Sequence, residues 1–97
     1  MAEEKQSAEN TTSTTIRWDD SGMSTSYANV CNVSSTREEV TLLFGTNQTF
    51  IPEQGQVQIK LSDRLILNPY AAKRLSLLLN NVIEQYETKF GVLNIET

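Results

Sequence analysis

Apolar residues recur at every second position in several segments up to Leu67, and at every third or fourth position after Pro69. That change of rhythm predicts β-strands first and a helix last. Residues 1–15 come before either pattern: they carry no aliphatic side chain larger than alanine after Met1 and are read as a disordered polar tail. The single folded domain is placed at residues 16–97. Ile16 and Trp18 alternate with Arg17 and Asp19, a short first strand, and Asp19-Asp20-Ser21-Gly22 supplies the turn that ends it. Ser24 to Val33 is rich in strand-forming residues and reads as a second strand. It places Asn29 on the same side as Tyr27 and Cys31, where a neighbour must satisfy its amide. Ser34 to Glu38 has the length of a hairpin connection; Val40, Leu42 and Phe44 then form a third strand, which Gly45 is expected to stop.

Gly45 to Gln56 holds two glycines and a proline and reads as a loop, with Phe50 and Ile51 folded back as an anchor. The fourth strand follows. Val57, Ile59, Leu61, Leu65 and Leu67 share one face and Gln58, Lys60, Ser62 and Arg64 the other, with Asp63 interrupting the apolar side, so a bulge or bend is expected at Ser62-Asp63. Asn68 then Pro69 is a helix start: asparagine accepts from the first-turn amides, and proline at the first helical position forfeits no hydrogen bond. The helix is expected to run to Phe90, with Gly91 as its C-terminal glycine and Lys89 facing the negative end of its dipole. At 100° per residue Ala71, Ala72, Leu75, Leu78, Leu79, Val82, Ile83, Tyr86 and Phe90 form one wide stripe, expected to cap the sheet. The fold class is therefore α+β, an antiparallel sheet of about four strands followed by one long C-terminal helix packed on one face. Val92 to Ile95 alternates again and is read either as an edge strand or as a fraying end.

Tyr70 and Leu77 project from the opposite side of the helix. They are the candidate oligomer interface, because some eighty residues make a thin core and a small domain without staples is commonly supported by a second subunit. A single cysteine, Cys31, forms no intrachain disulfide and fits a reducing compartment; within a strand it reads as a buried small hydrophobe. The N-terminus lacks an apolar signal segment and no apolar run reaches the ~20 residues of a membrane span, so a cytoplasmic location and no membrane association are expected. Outside a secretory route, the Asn-x-Ser/Thr triplets at Asn10, Asn32 and Asn47 carry no further meaning.

The chain has no histidine, which removes most catalytic triads, and one cysteine makes no structural zinc site. Asp19-Asp20-Ser21-Gly22 lacks the later ligands of a calcium loop and Gly45-Thr46-Asn47 the lysine of a phosphate loop. The expectation is a protein that is not an enzyme, with no catalytic residues, cofactor or metal. Twelve acidic against eight basic residues, a net charge of -4, disfavour nucleic acid as a partner. The alternative reading keeps single-stranded nucleic acid on a basic face of Arg17, Lys60 and Arg64, with aromatic side chains stacking on bases. The preferred reading is a non-catalytic, homo-oligomeric interaction module, acting as an adaptor or a chaperone-like binder and open to other protein partners.

Three stretches carry a resemblance: Tyr27-Ala28-Asn29-Val30, then Glu39 to Gly45 with the order Glu-Val-Thr-Leu-Leu-Phe-Gly, then Leu67-Asn68-Pro69-Tyr70-Ala71-Ala72-Lys73-Arg74-Leu75 opening a helix that ends Tyr86-Glu87-Thr88-Lys89-Phe90-Gly91. With them, about four-fifths of the chain resembles the domain of unknown function 3467 family of small bacterial and archaeal proteins. The resemblance implies no activity and no catalytic residues. The strands-then-helix order is also similar to that of SecB-type export chaperones, in topology alone.

Overall fold

The structure is a computed structural model and describes residues 13–48 and 55–95. Among these described residues, three strands and one helix follow in chain order: β1 (Val30–Ser35), β2 (Val40–Asn47), β3 (Ile59–Leu67) and α1 (Pro69–Phe90). The strands form one antiparallel sheet in the order β1-β2-β3, so β2 is central and the outer sides of β1 and β3 are edges. The α+β order is as the sequence predicts, with three strands where four were expected. Ile16 and Trp18 form no strand: residues 13–29 belong to no strand or helix, and Trp18 is 89% exposed. A three-residue alternation gains nothing from extension unless a neighbouring strand accepts its backbone bonds. β1 accordingly starts at Val30, later than the expected Ser24.

The β1–β2 hairpin closes through Thr36. Its amide donates to the Glu39 carbonyl at 2.9 Å, while its hydroxyl accepts from the amides of Glu38 and Glu39, each at 3.3 Å. Asn29 is satisfied as expected, its side-chain oxygen accepting the Asn47 amide at 2.8 Å and its own amide donating to Gly45 O at 3.0 Å. Gly45 does not end β2. The strand continues to Asn47, and Gly45 is buried between Val30 and Leu61. A Cβ there would collide with the Lys60 carbonyl oxygen, so glycine is what lets the two backbones approach. Phe50 and Ile51, the expected anchor, lie outside the described residues, as does most of the polar tail.

The irregularity expected at Ser62-Asp63 is present. Gly45 pairs with Leu61 and Phe44 with Asp63, which leaves Ser62 as the extra residue of a β-bulge. The Ser62 hydroxyl donates to Asp63 Oδ2 at 2.8 Å and lies 3.3 Å from the Phe44 carbonyl oxygen. The bulge also resets which side each later residue takes.

At the start of α1, Asn68 Oδ1 accepts the Ala71 amide at 2.8 Å and Pro69 occupies the first helical position. At its end the Gly91 amide donates to Glu87 O at 2.9 Å, and Gly91 adopts φ 105°, a left-handed region that glycine enters without strain. Beyond it Val92 to Ile95 joins no sheet; the Leu93 amide turns back onto Glu87 Oε2 at 2.9 Å.

The expectation that the helix packs along one face of the sheet needs correction. Ala71, Ala72 and Leu75 are half-buried, but the rest of the stripe stays open, with Leu79 54% and Phe90 66% exposed. The helix makes few contacts with β3, and the half-buried stripe residues Ala71, Ala72 and Leu75 all lie in its first two turns. No hydrophobic side chain among the described residues is buried.

Candidate functional site

Residues paired across an antiparallel ladder share a side of the sheet, so the register sorts the side chains. One side carries Val30, Leu43, Ile59, Leu61 and Ile66, and the other carries Cys31, Val33, Val40, Leu42, Phe44, Leu65 and Leu67. Both sides carry apolar residues, the first interspersed with Asn32, Ser34, Thr41, Asn47 and Arg64. An antiparallel sheet with one solvated face alternates apolar with polar residues, whereas apolar residues on both faces belong to a sheet covered twice. Within this chain the helix covers neither. Val30, Cys31, Asn32, Leu43, Ile59 and Leu61, from all three strands, line a shallow groove.

Along α1 the uncovered stripe is continuous from Leu78 through Leu79, Val82, Ile83 and Tyr86 to Phe90. Tyr86 and Phe90 stack with ring centroids 4.9 Å apart at 46°, and the Lys89 ammonium lies 5.6 Å from the Phe90 ring centre. Tyr70 and Leu77, 77% and 60% exposed, sit two turns apart on the far side of the helix. They form a smaller apolar patch than the stripe. Sequence reasoning set the stripe aside as core, and nothing in a periodicity distinguishes a helix that covers its own sheet from one that offers the same face outward.

The three basic candidates do not share a surface. Arg64 pairs with Leu43 and Lys60 with Thr46, positions on opposite sides of the sheet, because the extra residue Ser62 lies between them. Arg17 lies in the irregular segment before β1. Cys31 is exposed rather than buried, as no described residue covers it. Asp19-Asp20-Ser21-Gly22 is a turn: the Ser21 amide donates to Asp19 Oδ1 at 3.0 Å and the Met23 amide to Asp20 O at 3.1 Å. The backbone amide of Ser21, and then its hydroxyl, hold the Asp19 carboxyl below its ordinary pKa. Asp63, opposite Phe44, is kept away from Glu39 at the other end of β2, so these carboxylates do not pair. Among the described residues no three acidic or cysteine side chains come together around one point, and no helix is long and apolar enough to cross a membrane.

These features define a class of small α+β protein, a three-stranded antiparallel sheet with one projecting helix and apolar surface on every element. The chain belongs to the DUF3467 family, described as proteins of unknown function, whose family model matches residues 1–95. No curated protein and no solved structure matches it.

Proposed function

We propose that this chain is a non-catalytic assembly module of the cytoplasm that works as a homo-oligomer, its sheet faces and helix stripe being the surfaces through which copies join. The observation that carries the reading is the lack of any buried hydrophobic side chain among the described residues. Ordering a residue costs about 1–2 kcal/mol of backbone entropy, and burying a Leu, Val, Ile or Phe side chain returns about 1.5–3 kcal/mol. A chain that leaves Leu61, Leu65, Ile66, Leu79, Val82 and Ile83 at least 42% exposed forgoes most of that return until another surface covers them. A second copy is always at hand and carries the same complementary elements.

The test is the solution mass by light scattering across a dilution series, with thermal unfolding followed on the same samples. A mass at a multiple of 10.9 kDa, with a midpoint that rises as concentration rises, is the expected result. Each tenfold increase in concentration adds about 1.4 kcal/mol to a dimer, which shifts the midpoint by roughly several degrees. A folded monomer with a concentration-independent midpoint overturns the reading.

A further inference from the structure

The sheet has an edge without a neighbouring strand, and the chain has a strand-like segment without a sheet. The Gln48 amide donates to Gln58 O at 3.1 Å, and hydrogen-bonded pairs alternate along an antiparallel ladder. With Ser62 as the extra residue, Lys60, Asp63, Leu65 and Leu67 therefore turn their backbone groups toward β2. Ile59, Leu61, Arg64 and Ile66 turn theirs outward from β3, where no strand lies among the described residues. The other edge is partly occupied, because the outward amide of Val33 donates to Asn32 Oδ1 at 2.9 Å. Ile16 and Trp18, both exposed, alternate with Arg17 and Asp19 in a segment that pairs with neither edge.

Charge selects how the two fit. A strand added beyond β3 keeps opposed residues on one side of the sheet, and Lys60 and Asp63 share a side, since they stand opposite Thr46 and Phe44 of β2. Let the segment run antiparallel to β3 with Trp18 opposite Leu61. Ile16 then stands opposite Arg64, Arg17 opposite Asp63 and Asp19 opposite Lys60, so both charge pairs are of opposite sign. Sliding the segment by two residues, which keeps its sides, sets Asp19 against Asp63 in one direction and Arg17 against Lys60 in the other. Running it parallel over the same overlap sets Arg17 against Lys60 and Asp19 against Asp63. Like charges directly opposite are destabilising, so one register is favoured. The turn from Asp19 to Met23 ends the overlap just past Lys60.

We infer that residues 15–19 of a second copy add to the outer edge of β3 as an antiparallel strand, with Arg17 opposite Asp63 and Asp19 opposite Lys60. The inference rests on the homo-oligomer reading and adds a segment, an edge and a register to it. Within one chain the segment leaves the sheet at the opposite edge: the Asn29 amide is held by Gly45 O, and Val30, Gly45 and Leu61 stand in one row across the three strands. Its own arm would have to cross that width, whereas a second copy meets the edge directly. The alternation at Ile16 and Trp18 thereby gains the backbone partners it lacks in a single chain.

Disulfide trapping between differently tagged full-length chains tests it, in a Cys31→Ser background and with the mass of each sample followed by light scattering. Thr15 stands opposite Leu65 in this register, outside both charge pairs. Thr15→Cys chains mixed with Leu65→Cys chains are expected to link between chains on mild oxidation, at a yield roughly fivefold or more above that with Ile66→Cys chains, whose side chain lies on the other side of the sheet. Adding Arg17→Glu to the Thr15→Cys chain is expected to lower the yield roughly fivefold, and adding Asp63→Lys to the Leu65→Cys chain to restore it. Equal yields with Leu65→Cys and Ile66→Cys, or no loss with Arg17→Glu, or a loss that Asp63→Lys does not restore, in samples of oligomeric mass overturns the added strand and leaves the homo-oligomer reading standing. A chain carrying both Thr15→Cys and Leu65→Cys that links only within itself gives the edge to its own arm and overturns the second copy. Monomeric mass in every sample, the wild-type chain included, overturns both readings.

Discussion

Single residues set the limits of the elements, and each limit has a measurable cost. Asn68 accepts the Ala71 amide through its side chain at 2.8 Å, so Asn68→Ala leaves a first-turn donor without that partner. The expected loss is about 1 kcal/mol of stability, read as a lower midpoint in urea with an unchanged slope. A change under about 0.3 kcal/mol would show that water replaces the cap at no cost. Gly45 answers to a different constraint, being the position where β2 and β3 approach too closely for a Cβ. Gly45→Ala is expected to destabilise by about 1–3 kcal/mol, although alanine is the better strand residue by propensity, because the Lys60 carbonyl must move. Wild-type stability in that variant would mean the strands part freely at the bulge.

At the scale of elements, the sequence was most legible where local chemistry decides the outcome. Asn68, Pro69 and Gly91 bound α1 at the residues expected, because caps act within one turn and need no tertiary partner. The hairpin after β1 and the irregularity at Ser62 were legible for the same reason. The reading failed where an element depends on something distant. Ile16 and Trp18 alternate like a strand but have no strand beside them, and Gly45 resembles a stop until its register against Leu61 is known. The basic face of Lys60 and Arg64 followed from counting by twos, and one bulged residue separated them. Cys31 and the helix stripe were assigned to a core by amphipathic pattern alone, which shows which side is apolar but not which molecule covers it.

At the scale of the whole molecule, the two apolar patches of α1 make opposed predictions. Leu79→Glu places a carboxylate in the stripe and is expected to reduce the scattering mass to that of one chain at concentrations where wild type is assembled. Burying an unpaired charge costs several kcal/mol, equivalent to 10²-fold or more in dissociation constant. Leu77→Glu, on the other side of the helix, is expected to leave mass and midpoint near wild type, as surface substitutions do. The reverse outcome would move the interface to the Tyr70 and Leu77 patch.

The uncovered sheet and stripe bear on the protein's life in a cell. A subunit with a core of its own leaves its assembly intact on dilution and waits, folded, for the next encounter. One that borrows its core has no such waiting state, so separation and unfolding become a single event. Proteases that cut open chains would then remove the copies made in excess of what can pair, and survival time would lengthen as the pool grows. On the proposed homo-oligomer reading, abundance becomes a condition of having a shape at all.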